Sequence, residues 1–432
     1  MKQFDYQQAF GAWDKTSDAM KNALKRWQKL YYNDRADAKS DPCQRIAYTV
    51  VQKIVRGVFG EYQSACPRGI YRQILNRLET QKEKAVQLAL IGGSCFIKPW
   101  PAADGFGFSL IPRQNVLVFG SDADGNITDM GLAEKTVRDR WYYTLLERRR
   151  LDDQGLLTIE NQLYRSLNSE TLGSQVPLSD HPAYEGLPVR YAFPEPLSGV
   201  GLIPVKTPMF NCVDGSFDSV SVYAAAAELI ARIDENEAQL AEEFRRGESR
   251  IITSRDLLDD NDHLTGHLFV GLDEDPEQVG FHIFAPELRE QSFLNRKQEY
   301  LRNVETIIGL QRGMLSDVNL QKRTATEVSA SGGEYNLTVM DFQKMWEDAM
   351  HKTMELCAIL GRIYGITAGK LPEITVDWGN GVLYDEEKSW EDYKDMVSRG
   401  LITPEVALSW RFGMPADTET EKKAIRDKFM PQ

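Results

Sequence analysis

Several groupings in the sequence have residue types that could do chemistry. GITAGKL at residues 365–371 has the letters of a phosphate loop, where amides and a lysine cradle phosphates and a Ser or Thr holds magnesium. It is one residue short of that spacing, and Leu371 stands at the hydroxyl position. GVGLIP, from Gly199, lacks the third glycine of a dinucleotide fingerprint, and no strand-turn-helix context precedes it. HLTGH sets His263 and His267 four apart, but Leu264 stands where a zinc protease needs glutamate. No serine lies in GxSxG and no cysteine has an evident base partner. The carboxylates of SDADGNIT (residues 121–128) suggest calcium, yet Gly125 comes too early for an EF-hand loop and no closing glutamate follows in register, so a hairpin turn is expected. Carboxylates are plentiful, but nothing selects a catalytic pair. The sequence therefore points to no enzyme, metal site or cofactor.

Two basic clusters remain. Arg148, Arg149 and Arg150 end a strand-like run and are expected at a solvated strand edge, where charge discourages strand addition. Arg245, Arg246 and Arg250 end a helix-like run; they either complement its C-terminal dipole or touch DNA or a partner.

The elements that must position these residues fall into blocks. A chain of 432 residues, 42% hydrophobic and 27% charged, is long enough for two to four domains and has no run suited to a membrane span. The N-terminus lacks an apolar h-region, so no signal peptide is expected. Five scattered cysteines read as reduced thiols of a cytosolic folding compartment. The net charge of −13 weighs against a surface that grips nucleic acid everywhere, though not against one past which it slides.

Apolar residues at helical spacing predict helices over 4–32, 43–61 and 70–90, with Gly92 and Gly93 as the stop. From 94 to about 210, short β-branched and aromatic runs separated by turn chemistry predict strands. Residues 217–245 carry Val220, Tyr223, Ala227, Ile230, Ile233, Leu240 and Phe244 on one stripe and predict a long helix with an acidic exposed face, seven Asp and Glu against two Lys and Arg. A compact insert to about 284 includes HLFVGLDED and QVGFHIFAPE as strands; a second helix runs from Glu287 to Ile308.

Next comes GMLSDVNLQKRTATEV (313–328), expected to be polar and flexible with no fold of its own until its end. There Thr324 and Glu327 form a capping box that starts a helix reaching about residue 364. Gly332 and Gly333 inside it predict a kink. EITVDWG (373–379) predicts a short strand, followed by helices over 387–399 and from Thr403 with Pro404 in the first turn, then a charged tail from Asp417. Trp141, Trp346 and Trp410 are expected in the core. The fold class is α+β.

The order of these blocks, with RWQKLYYND, YYTLLERRR followed by IENQLYRS, PVKTPMFN with DGSFDSVSVYAAAAELIARID, and the loop ending KRTATEV, resembles the portal proteins of tailed bacteriophages, in particular those of phages of Gram-positive hosts. The resemblance covers roughly residues 20–420. It implies a ring of subunits, usually twelve, at one capsid vertex, around a channel for double-stranded DNA. It divides the chain into an N-terminal wing (1–216), stem helix (217–245), clip (246–286), second stem helix (287–309), tunnel loop (310–324), long wing helix and strand (325–384) and a short helical crown (385–432).

By the same resemblance Gln311, Arg312, Met314, Asp317, Asn319, Gln321, Lys322 and Arg323 face the channel, Thr324, Glu327, Gly332 and Gly333 form cap and hinge, and Arg245, Arg246 and Arg250 lie on the clip side. The implied partners are other copies of the chain, sequence-blind DNA, a large terminase that supplies the energy, the major capsid or scaffold protein and a head-tail adaptor, with no membrane and no cofactor. The implied location is the virion, after assembly in the host cytoplasm. A channel that bound phosphate tightly would stall its cargo, so a mixed or acidic lining suits the task. Another head or connector protein, or a soluble two-domain enzyme, are the alternatives.

Overall fold

The computed structural model describes residues 3–33, 41–67, 69–102, 104–197, 199–247, 250–252, 282–284, 287–317, 325–367, 369–379, 386–412, 414–416 and 418–430. Helix and sheet alternate by block, as an α+β chain requires, and the contacts divide into two units: residues 1–55 with 66–373, and 56–65 with 374–432.

The larger unit begins with α1 (Gln3–Phe10) and α2 (Asp18–Tyr32). The expected single helix over 4–32 is broken because Gly11 takes a left-handed φ of +62° and Ser17 caps α2 by accepting from the Met20 amide. The stripe Met20, Leu24, Trp27 and Tyr31 is buried, whereas Trp13, in the break, is 70% exposed. α3 (Ile46–Phe59) follows, its last residues belonging to the second unit. After β1 (Gln63–Ala65) come α4 (Ile70–Glu79) and α5 (Lys82–Gly92). Gly93 ends α5 at φ +83°, and a Cβ there would lie 2.0 Å from the Ser219 carbonyl oxygen.

β2 (Ser94–Ala102) and β3 (Gly105–Pro112) form a hairpin, joined on the other edge of β2 by β10 (Ile203–Lys206). A larger antiparallel sheet has the order β4 (Val116–Ser121), β5 (Ile127–Arg138), β6 (Trp141–Leu151), β7 (Leu156–Ser166), β8 (Ser174–Val176), with β9 (Arg190–Pro196) also on β7. SDADGNIT is the β4–β5 turn: the Asp122 carboxylate accepts from the amides of Asp124 and Asn126 at 3.0 and 2.8 Å, and Gly125 supplies φ +78°. Asp152 repeats this arrangement at the β6–β7 turn.

The arginine run does not lie on a solvated edge, because β6 sits between β5 and β7. Arg148 makes a two-pronged ion pair with Asp129 at 3.0 and 2.7 Å. Arg149, 5% exposed, binds Glu147 and the carbonyls of Val200 and Gly201. Only Arg150 is exposed. Burial opposes ionisation of Glu147, but Arg149 and then Lys98 outweigh it and hold the carboxyl at about 2.

Residues 217–226 are not helical, against expectation. Their backbone groups are taken by tertiary bonds: the Val222 amide and the Ser221 hydroxyl donate to the Leu90 carbonyl, and the Thr207 hydroxyl donates to the Val220 carbonyl at 2.7 Å. The helix α6 therefore spans Ala227–Arg246, with Val220 and Tyr223 still buried beneath it. β11 (Arg250–Ile252) pairs antiparallel with β12 (His282–Phe284). HLFVGLDED and the histidine pair His263 and His267 lie outside the described residues. α7 (Glu290–Ile308) and α8 (Ala325–Ile363) complete the unit. α8 buries Tyr335, Val339, Phe342, Trp346, Ala349, Thr353, Leu356 and Leu360. Gly332 and Gly333 lie within its helical span.

In the second unit β1 pairs with β13 (Thr375–Asp377), and Tyr62 packs on Trp378 at 4.5 Å between ring centroids. α9 (Glu386–Ser398) and α10 (Pro404–Phe412) follow. The charged tail is in fact a helix, α11 (Glu419–Phe429): Thr418 and Glu421 form a reciprocal capping box, Ile425 is buried, and Arg426 binds Glu405. Trp141 and Trp410 are half-buried rather than core; Arg165 covers Trp141 at 4.6 Å and Tyr393 stacks on Trp410.

Candidate nucleic-acid interface

α6 and α7 run antiparallel, since partners on α7 rise in number as those on α6 fall. Arg289 binds Glu243, Arg296 reaches Gln239 and Asn236 at 2.7 and 2.6 Å, and Lys297 reaches Glu237 at 3.0 Å. These polar links accompany the buried apolar residues of both helices, Ile230, Ile233 and Leu240 on α6 and Leu301, Val304 and Ile308 on α7. Asn236, 2% exposed, has both ends of its amide engaged: its NH₂ donates to the Phe293 carbonyl while its oxygen accepts from Arg296. Asp234, also buried, accepts from the Gln44 amide, which ties the pair to the segment before α3.

At the β11 end the cations are occupied. Arg245 and Arg246 are largely exposed and share Glu242, whose carboxyl their side-chain bonds, Arg246 first, hold below the usual range. Arg289 does the same for Glu243. Pairs this exposed are screened by solvent and contribute little to stability. Arg250 is in β11 opposite Phe284.

The other end of α7 departs most from expectation. The residues after it, described as far as Asp317, have a fold built around Glu305. This side chain is 0% exposed. One carboxylate oxygen accepts from the amides of Gly313, Leu315 and Ser316 at 3.1, 2.6 and 2.8 Å, and the other accepts from the Ser316 hydroxyl at 2.8 Å. The carboxylate thus does for this turn what a cap does for a helix, supplying an acceptor to three amides of which that of Ser316 is in a buried residue.

Gly309 ends α7 with φ +78°, and a Cβ there would lie 2.4 Å from the Thr338 hydroxyl of α8, so only glycine lets the turn approach that helix. Leu310 and Ser316 are buried. Gln311 accepts from the Met314 amide at 3.1 Å, Arg312 donates to the Thr306 hydroxyl at 3.1 Å, and the Asp317 amide donates to Gln298 at 2.8 Å.

Of the expected channel residues, the structure therefore brings Gln311, Arg312, Met314 and Asp317 together in an anchored turn rather than a free segment. Asn319, Gln321, Lys322, Arg323 and the cap Thr324 lie outside the described residues, as does the side chain of Glu327 in the first turn of α8. Glu305 was missed, although its signal was present: it falls on the apolar stripe Leu301, Val304 and Ile308, where a carboxylate needs a buried partner.

Residues 74–428 match the family model for phage portal protein, SPP1 Gp6-like. The chain belongs to this family of phage portal proteins. No curated protein matches the sequence. Among solved structures, the portal chain resembles one described as the neck of a native GTA particle computed with C12 symmetry, with TM-score 0.51, 11% identity, and 94% of this chain and 97% of that chain covered. At that identity the likeness speaks for the fold. Portal proteins are structural proteins of the phage head-tail connection, and among the described residues of this one no helix is long and apolar enough to cross a membrane.

Proposed function

We propose that copies of this chain assemble into a ring, taken as twelve after the symmetry of the structural neighbour, at one vertex of the capsid, and that double-stranded DNA passes through its centre during packaging and ejection. In this reading α6 and α7 are the stem, β11 and β12 belong to the clip, the turn after Ile308 leads into the tunnel loop, the blocks before residue 216 and α8 form the wing, and α9 to α11 form a short crown. The chain catalyses nothing. A large terminase docking on the clip supplies the energy, a head-tail adaptor replaces it later, and the capsid or scaffold protein holds the wing in the virion.

The observation that carries the reading is the family match over 74–428. The paired state of Arg245, Arg246 and Arg289 supports it physically, because a lining whose cations already have carboxylates offers DNA weak, sequence-blind contacts. Electron microscopy of the purified chain tests the ring, and monomers alone under assembly conditions would count against it. Deleting residues 318–323, beyond the Glu305 anchor, tests the loop. Packaging or retention of DNA should suffer while rings still form; unchanged packaging would remove the loop's role.

A further inference from the structure

The larger sheet has an uncovered edge. β4 accompanies β5 only as far as Leu132, opposite Val116, and β5 then continues alone on that side to Arg138. In an antiparallel ladder the N–H and C=O of a residue point the same way, and the direction alternates along the strand. Val118 sends both groups away from β5: its amide donates to Asp14 and its carbonyl accepts from the Lys15 amide. Its partner Met130 therefore faces β6, and so do Glu134, Thr136 and Arg138.

The two-residue tip Asp139–Arg140, with Asp139 at φ +55°, gives the same parity, since the flanking pair Arg138 and Trp141 must bond each other. Ala133, Lys135 and Val137 consequently turn their amides and carbonyls outward, and among the described residues nothing bonds them.

From Ala133 to Lys135 this edge opens into a cleft of about 990 Å³ bounded by α1, α2, β3 and the 113–117 segment, and Val137 beyond it is exposed. Buried Arg113, just before β4, is held in the cleft's wall by Thr16, Asp218 and the Val116 carbonyl. Its walls are basic: Lys21, Lys25, Lys98, Arg113 and Lys135 line it. Three of these cations are paired: Lys21 with Asp14 and Asp18, Lys98 with Glu147, and Arg113 with Asp218. Lys135 donates to the Ser169 carbonyl at 3.1 Å and has no carboxylate within ion-pair distance among the described residues, and Glu134 is the lining carboxylate without a cation there. Lys25 is exposed with no carboxylate within ion-pair distance among the described residues.

We propose that this cleft is a docking site for an extended acidic segment of a partner protein, added as a strand to β5 through the outward groups of Ala133, Lys135 and Val137, its carboxylates meeting Lys25 and Lys135. Main-chain bonds supply the affinity and the basic wall selects the sign of charge. The assignment does not depend on the portal reading.

The test uses the full chain and two fluorescent decapeptides, one alternating Glu with Val and one alternating Lys with Val. Anisotropy should show saturable binding of the acidic peptide only, and hydrogen exchange should slow at the amides of Ala133, Lys135 and Val137. Lys135→Pro removes one outward amide without touching the β6 ladder, so it should weaken binding at least tenfold while the melting transition is retained. Lys25→Glu should weaken it severalfold. Equal binding of the basic peptide, binding without protection at residues 133–137, or undiminished binding to Lys135→Pro would overturn the proposal. So would protection of these amides that rises with protein concentration and resists the peptide, because the occupant would then be a second copy.

Discussion

Removing the Glu305 carboxylate should free the turn that follows α7. In Glu305→Ala three amides and one hydroxyl lose their acceptor. An orphaned buried donor costs about 1–3 kcal/mol, and Ser316 is buried while Gly313 and Leu315 are half-buried and can recover water in part. The sum is about 3–5 kcal/mol, a large share of the roughly 5–15 kcal/mol that stabilises a domain. The chain has a less costly alternative, which is to open residues 310–317 locally and leave the rest folded. Hydrogen exchange read by mass spectrometry should therefore accelerate most at 311–317, trypsin should cut after Arg312, and the global melt should move less than the local change implies.

Glu305→Gln supplies the contrast. Its carbonyl can still serve the three amides and its NH₂ can donate to the Ser316 hydroxyl, so only charge assistance is lost, about 1–2 kcal/mol. If exchange at 313–316 were unchanged in Glu305→Ala, the carboxylate would not be what holds the turn. Deleting 311–322 should strand Glu305 and destabilise α7, whereas deleting 318–323 should not.

Acid should weaken the larger sheet through Glu147. Its carboxyl is held at about 2 instead of the ordinary 4.5, so its contribution of about 3 kcal/mol is complete above pH 4.5 and disappears as pH falls towards 2. Urea melts from pH 5 to pH 3 should show this loss, and Glu147→Gln, already destabilised at pH 7, should show a shallower dependence. Gly93→Ala should fail to yield folded protein, because its Cβ would meet the Ser219 backbone at 2.0 Å at a left-handed φ; a normal melt would show that the two segments can separate freely. Asn236→Ala should cost about 1–3 kcal/mol by leaving the Phe293 carbonyl and Arg296 without their partner, measured by denaturant melts; Arg296→Lys should not replace the fork that reaches both Asn236 and Gln239.

Much of the molecule was legible in its letters. The apolar stripes of α2, α7 and α8, the turn SDADGNIT and the stop at Gly93 each rest on a local rule, because spacing and turn chemistry act within a few residues of where they are written. Local rules also explain the oversights: the capping box of α11 was present as Thr418 and Glu421, but the surrounding charge masked it. Fold class and the order of blocks followed from the same signals.

What depended on distant neighbours was not legible. Residues 217–226 have a helical stripe, yet Leu90 and Thr207 take the hydrogen-bonding groups a helix would have used. Arg148 and Arg149 read as an edge because strand order is invisible in sequence; placed between β5 and β7, they had to find Asp129 and Glu147. The wall of the cleft beside β5 includes Arg113, which Thr16 and Asp218 bind from far along the chain. Which segments can be helix, strand or turn is written in the chain itself, since those preferences are short-range. Which polar groups are buried together emerges on packing, because a carboxylate such as Glu305 can be solvent-facing or central depending on what packs over it.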